Sequence, residues 1–233
     1  LHHPHLDNVL ISRRKSWLAD LKAGRMRSVW REITMFVKAL RQRPYDLVID
    51  FHGLLKSSLI VLLSRGKRKL GYDSWQELSG LFLTEKIYED MNKHAVERYF
   101  DFPLYLGAKK EEMEFVLPSH PEAEKRIRCL LEEHGLEESH FVVISPIAYW
   151  KTKLWDDQKF AELADLIQEK LSKKVVFTGS ERQAVESIIS RMVSSGINLA
   201  GRTSLPELAE LFKKSRLIVT TDSGPMHLAC AVG

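Results

Sequence analysis

Near the end of the chain, Asp222-Ser223-Gly224-Pro225-Met226-His227 places a carboxylate, a hydroxyl, open backbone amides and an imidazole around one turn. The apolar residues 217–219 before it read as a buried strand, and the chain turns through 220–224 into a helix starting near Pro225. The amides of Ser223, Gly224 and the first helical turn, with the positive end of the helix dipole, make a seat for an anion such as a diphosphate. Pro225 removes no donor that a helix start needs, Gly224 lets a ligand approach the backbone, and His227 can donate to a phosphate oxygen. Taken alone, such a turn is more often an ordinary N-cap, with Asp222 and Ser223 as caps and His227 a satisfied surface histidine.

Two further loops change that weighing, because ligands of open α/β sheets bind beyond the carboxyl ends of the strands. After an expected strand at 141–145 comes "PIAYWKTKLW", with Lys153 and Trp155; after one at 174–178 comes "GSE", with Gly179 and Glu181. Lys153 can serve as a mobile cation for phosphate, and Glu181 can accept from ribose hydroxyls. Singly, a lysine or glutamate is more often a solvated surface group. Other signatures are missing from the sequence. There is no G-x-G-x-x-G, "HGLLKSS" lacks the glycine pair of a P-loop, and nothing resembles H-E-x-x-H or D-x-D. The expectation is therefore no metal and no cofactor, with a diphosphate compensated by Lys153, other basic side chains and the helix terminus.

The scaffold for these loops must come from 233 residues, 44% of them hydrophobic, enough for two small domains or one large one. A net charge of +4 with interspersed acids and bases argues against a general nucleic-acid binder. Residues 13–43 are nevertheless strongly basic: Arg13, Arg14, Lys15, Lys22, Arg25, Arg27, Arg31, Lys38, Arg41 and Arg43 face only Asp20 and Glu32, which favours an anionic partner. Cys129 and Cys230, far apart and outside any C-x-x-C or metal spacing, read as free thiols of a reducing compartment. The longest dense apolar run, 59–63, is too short to span a bilayer, so a soluble or peripheral, cytoplasmic protein is expected. A first residue Leu and a last Gly inside an apparent helix read as a fragment trimmed at both ends.

Apolar spacing of three and four from Val29 predicts an amphipathic helix stopped by Pro44. A strand at 45–51, a buried helix within 53–64, a return strand at 67–73 and a helix at 93–107 ending on Gly107 follow, while 75–92 receives no assignment. A strand is expected at 112–118 and a helix after it with Ser119 as N-cap and Pro121 in its first turn. Beyond Pro118 the pattern becomes regular: strands at 141–145, 174–178, 198–199 and 216–220 alternate with helices at 155–171, 182–194, 205–214 and from 225. Alternation of this kind means parallel strands joined by crossover helices. Ser204 and Glu207 form a capping box, which says nothing about chemistry. The domain boundary is placed at 118, giving residues 1–118 and 119–233.

The blocks "KLW-x4-FAELADLI", "VVFTGSE" and "NLAGRTSLPELAELFKKSRLIVTTDSGPMHLACAVG" closely resemble glycosyltransferase family nine, the bacterial heptosyltransferases of lipopolysaccharide core synthesis. "YDLVIDFHGLLKSSL", "KLGYD" and "HAVERY" agree, in order, with the N-terminal motifs of that family, so the resemblance covers nearly the whole chain. It implies a GT-B enzyme, two Rossmann-like domains with parallel sheets facing a cleft, that moves heptose with inversion from an ADP-sugar to an anionic lipid-linked acceptor. By motif match Lys153 is the phosphate-binding lysine; Asp222, Ser223, Gly224 and His227 fall on the donor turn, and Glu181 on the nucleoside contact. Ser223 replaces the commoner Thr, and Asp156 stands where Pro usually follows the Trp.

The N-terminal domain is expected to bind the acceptor, whose phosphates and carboxylates suit residues 13–43, Lys56 and the basic cluster at 65–69. Lys56 and Ser57 lie in a shared motif at a helix start, and Arg98 shares a helical face with His94, four residues away. Inverting transfer also needs a general base for the acceptor hydroxyl. The resemblance assigns it to an Asp in a glycine-containing loop that precedes "LHHPHLDNVL", so neither Asp50 nor His52 takes the role and Leu1–Gly233 alone is expected to be inactive. Two rival readings remain at this stage. One is a nucleotide-sugar epimerase of the same fold, and the other is a non-catalytic basic module binding anions through 13–43.

Overall fold

A computed structural model describes residues 3, 5–73, 80–109, 114–118 and 120–233. The chain divides into two compact units, residues 6–113 and residues 114–233, the second joined by residues 1–5.

In the first unit α1 (Arg14–Lys22) and α2 (Met26–Leu40) precede β1 (Tyr45–Asp50), α3 (Leu55–Leu63), β2 (Gly66–Tyr72), β3 (Glu85–Ile87) and α4 (Ala95–Tyr105). The strands are parallel in the order β1-β2-β3, with Tyr45 opposite Gly66 and Leu70 opposite Glu85. The chain thus returns through α3 as a crossover, and β3 lies inside the stretch to which the sequence assigns no element. Leu70, Tyr72, Ile87 and Phe102 form the core, backed by Leu47 and Ile49. Phe102 packs edge-on against both Tyr72, at 4.6 Å, and Phe51, at 4.9 Å. Helix α4 ends where expected, with Gly107 at φ +92° and its amide bonded to Leu104 O.

The expected strand at 112–118 does not form over residues 114–118. Phe115 and Val116 are exposed there and Pro118 offers no amide, so the apolar pair has neither a covering layer nor a complete ladder. Residues 112 and 113 and the proposed cap Ser119 lie outside the described residues. Helix α5 (Pro121–Glu133) starts with Pro121 in its first turn and His120 at the N-cap position.

The second unit continues with β4 (Phe141–Ser145), α6 (Asp157–Leu171), β5 (Lys174–Phe177), α7 (Arg182–Ile189), β6 (Ile197–Asn198), α8 (Leu205–Lys214), β7 (Leu217–Thr220) and α9 (Gly224–Val232). All the strands are parallel, in the order β6-β5-β4-β7. Side chains alternate between the faces of the sheet as a strand requires. Phe141, Val143 and Val176 pack with α5, α8 and α9 on one face. On the other, Val142, Ile144, Val175 and Phe177 pack with Phe160, Ala161, Ala164 and Ile167 of α6 and Val185 and Ile188 of α7.

Two boundaries differ from expectation for identifiable reasons. Helix α6 begins at Asp157 rather than at 155, because Asp156 in extended conformation caps it, accepting the amides of Gln158 at 2.8 Å and Lys159 at 3.4 Å. Helix α7 stops at Ile189 rather than 194, because the Asp165 carboxylate of α6 captures the Val193 and Ser194 amides, both at 2.9 Å.

Candidate functional site

Strands β4 and β7 are neighbours, yet the loop after β4 runs to α6 on one face of the sheet and the loop after β7 to α9 on the other. Connections that diverge in this way open a crevice at the carboxyl ends of the strands. A cleft of about 690 Å³ lies there, lined by Lys153, Glu181, Asp222, Ser223 and Gly224 among others, so five residues expected at a donor site share one cavity. His227 does not line it and is exposed one turn further along α9. Trp155 is also outside it, packed edge-on against Phe160 with ring centroids 5.0 Å apart.

The floor is set by short polar side chains. Ser145 Oγ and Thr178 Oγ1, at the ends of β4 and β5, lie 2.5 Å apart and are fully buried. The Thr221 amide continues the ladder onto Ser145 O at 3.3 Å, and Thr221 Oγ1 donates to Ile147 O at 3.2 Å, stitching the two divergent loops together. Gly179 adopts φ +155°, and a Cβ there would meet Ile147 Cγ1 at 3.1 Å, so the backbone after β5 turns in a way that a side chain would resist.

Lys153 sits in a single 3₁₀ turn, Lys151–Lys153, and its Nζ lies 2.8 Å from Asp222 Oδ2. The hydrogen bond and the charge of Lys153, with a further contribution from His227, hold the Asp222 carboxyl below its ordinary acidity range despite a small opposing effect of burial. Ser223 occupies the N-cap position of α9 in extended conformation without a side-chain cap bond; its hydroxyl lies 3.2 Å from Thr221 O instead. A Cβ on Gly224 would meet no protein atom within 4 Å, which keeps the helix start open. Glu181 stands at the N-cap position of α7, exposed and without a cap bond. Sequence reasoning missed Ser145, Thr178, Thr221 and the Tyr149-Trp150 pair; only the position of a serine or threonine at or just past the end of each apolar strand could have pointed to the first three.

The residues expected to meet an acceptor lie in the first unit and are not gathered at one point. Ser57 Oγ is 2.9 Å from Asp50 Oδ2 and 2.8 Å from Leu54 O, while Asp50 Oδ1 accepts the His52 and Gly53 amides at 2.9 and 3.2 Å. Ser57 and Asp50 therefore build the turn from β1 into α3, with Lys56 exposed beside them. Arg98 lines a smaller cavity of about 230 Å³ with His52, Tyr72 and Glu89, and its Nη1 lies 2.5 Å from Glu89 Oε1. The Tyr72 hydroxyl and Arg98 Nε are buried without a partner, and burial first, then Asp101 and Glu89, push the Tyr72 pKa up to about 12. His94 caps α4, its Nδ1 accepting the Val96 amide at 3.4 Å. Within the basic cluster at 65–69, Lys67 pairs with Asp46 at 2.9 Å and Arg68 with both oxygens of Glu85, at 2.6 and 2.7 Å, so much of that charge is answered internally. Among the described residues no group of three or more His, Cys, Asp or Glu side chains is placed to hold a metal ion, and no helix is long and apolar enough to cross a membrane.

Helices on both faces of a parallel sheet, with a cleft lined by charged side chains at its topological switch point, make a doubly wound α/β unit of the kind that builds the GT-B fold. The profile of glycosyltransferase family 9 (heptosyltransferase) matches residues 33–233, and the chain belongs to that family. It is 25% identical over 220 residues to the lipopolysaccharide core heptosyltransferase OpsX of Haemophilus influenzae, covering 92% of this chain and 60% of that protein. It is 27% identical over 210 residues to lipopolysaccharide heptosyltransferase 3 of Escherichia coli, covering 87% of this chain and 60% of that protein. The chain thus spans about 60% of the length of these relatives. In fold it is similar to the structure of E. coli heptosyltransferase WaaC with ADP, at a TM-score of 0.78 and 23% identity, covering 99% of this chain and 70% of that one. A glycosyltransferase family 9 structure from Veillonella parvula gives a TM-score of 0.74 at 24% identity, covering 88% and 58%.

Proposed function

We propose that this chain carries the donor-binding unit and part of the acceptor-binding unit of an inverting, metal-independent heptosyltransferase, one that moves heptose from ADP-heptose to the inner core of a lipopolysaccharide precursor. The observation that carries the reading is the convergence of Lys153, Asp222 and the open start of α9 on one cleft, with Glu181 on the neighbouring loop. ADP seats its diphosphate between Lys153 Nζ and the amides at Ser223–Gly224, and Glu181 accepts from the ribose hydroxyls. As the bond to the anomeric carbon breaks, negative charge grows on the β-phosphate, and the ammonium and helix start stabilise it more than they stabilise the ground state. His227 adds a donor from the next turn of α9. No residue of this chain is assigned as the general base on this reading.

Residues 1–118 form the acceptor-side domain on this reading, and residues 119–233 the donor-side domain. Lys56, Ser57 and Arg98, with the basic stretch 13–43, meet an anionic lipid-linked saccharide, and the enzyme works in the cytoplasm, peripherally at the inner membrane surface. Nucleic acid is not a partner. Calorimetric titration with ADP, UDP and ADP-heptose tests the donor assignment on the chain itself: selective binding of ADP and ADP-heptose is expected, and a folded chain that binds neither would overturn it.

A further inference from the structure

The proposed donor cleft has an unusual lip. Tyr149 is 90% exposed and Trp150 62% exposed, and both line the cleft a few residues before Lys153. Their rings stand at 89° to one another with centroids 5.1 Å apart, so together they form an open corner of two aromatic faces. A scattered exposed apolar side chain needs no explanation, but two adjacent large aromatics on the rim of a cavity that also carries converging charged groups are the composition of a ligand-binding surface. Among the described residues no other aromatic side chain lines that cavity; the loops carrying Gly179–Glu181 and Thr203–Leu205 contribute small, polar or aliphatic side chains.

That distribution gives the cleft a polarity. Strand order β6-β5-β4-β7 places Glu181, after β5, toward one side, and Lys153 with Asp222, after β4 and β7, toward the other. Tyr149 and Trp150 share the loop after β4 with Lys153, so a nucleoside diphosphate with its ribose at Glu181 and its phosphates at Lys153 brings the group it carries beyond the phosphates to the loop that bears the aromatics. The C–H face of a pyranose ring is apolar and slightly positive, complementary to the negative face of an aromatic ring.

We infer that Tyr149 and Trp150 form the subsite for the glycosyl ring of the donor, acting as specificity-determining residues that distinguish a sugar nucleotide from the free nucleotide. The inference rests on the donor-site reading above. It assigns the recognition of the sugar to stacking on aromatic faces, with no bond made or broken by either residue. Because both side chains are exposed, their truncation leaves the core of the unit untouched.

The test is a pair of calorimetric titrations, with ADP and with ADP-heptose, on the wild-type chain and on Tyr149→Ala, Trp150→Ala and Tyr149→Phe, with melting curves as the check on folding. Affinity for ADP should stay within about twofold in every variant, while ADP-heptose weakens about three- to tenfold in each alanine variant. Tyr149→Phe should restore it, since the ring and not the hydroxyl provides the face. Equal losses for both ligands would place the aromatics on the nucleotide, and no loss for either would remove them from the donor site; each outcome overturns the inference. A wild-type chain that binds ADP but gains nothing from the heptose would also overturn it while leaving the nucleotide site standing. Failure of the wild type to bind either ligand would instead sink the donor reading on which it rests.

Discussion

Lys153 Nζ stands 2.8 Å from Asp222 Oδ2, so the ammonium proposed to meet a diphosphate is held over the start of α9 by a carboxylate from the opposing loop. Both side chains are well exposed, and exposed pairs contribute little to folding. On the donor-site reading the pair acts as a positioning contact for the ligand. Replacing Lys153 by Ala should weaken ADP binding on the order of tenfold to a hundredfold, the loss of a charge-assisted contact to phosphate, while the melting temperature hardly changes. Calorimetry and a thermal melt on the same preparations decide it; a large drop in melting temperature with unaltered ADP affinity would make the lysine structural.

The same contact sets a pH dependence. Lys153, through its hydrogen bond and then its charge, lowers the Asp222 carboxyl from its ordinary value. A depressed folded pKa means that the contribution of the pair is fully present above the unfolded value, about 3.9, and is lost as pH falls through the lower folded value. The contact should thus persist through neutral pH and fail only in acid. NMR titration of the Asp222 carboxyl should show its midpoint moving upward in Lys153→Ala; an unmoved midpoint would mean that the pair is absent in solution.

The buried hydroxyl pair beneath the cleft offers a test of a different kind. Thr178→Val leaves Ser145 Oγ buried without its partner, which should cost about 1–3 kcal/mol. Adding Ser145→Ala removes the orphaned group, so the double variant should recover part of the loss. Denaturant unfolding of the two single variants and the double variant gives the coupling directly; strict additivity would mean that the two hydroxyls do not interact.

Asp156 caps α6 just after the Lys153 loop, and Asp156→Ala should destabilise the unit by about 1 kcal/mol, as loss of an N-cap typically does. A matched Asp156→Asn variant keeps an accepting oxygen and should lose much less. Equal losses would show that charge, not capping, is what matters there.

Much of the second unit was legible in the sequence because its signals are local. Strands β4, β5 and β7 are short, mainly apolar runs, Ser204 and Glu207 mark the start of α8, and strand β4 and helix α8 fall on the expected residues. The boundaries that shifted depend on contacts from elsewhere: Asp165, on α6, decides where α7 stops. The three-residue strand β3 carries too short a pattern to read, and Phe115 with Val116 carries an apolar signal that no covering layer answers. At the cleft, Lys153, Glu181 and Asp222 were legible because charged groups after predicted strands point to a crevice. That Lys153 would be met by Asp222 was not, since the meeting follows from the adjacency of β4 and β7, which no local pattern encodes.

That adjacency also has a temporal side. Strand β7 lies beside β4 although β5 and β6 come between them in the chain, so the two halves of the cleft are made well apart in the synthesis of this unit. Lys153 and the hydroxyl floor leave the ribosome first, and the partner carboxylate and the α9 amides follow only about 40 residues or more later. On the donor-site reading, a nascent chain stalled before residue 217 therefore lacks one wall of the nucleotide cleft, whatever the state of its earlier strands.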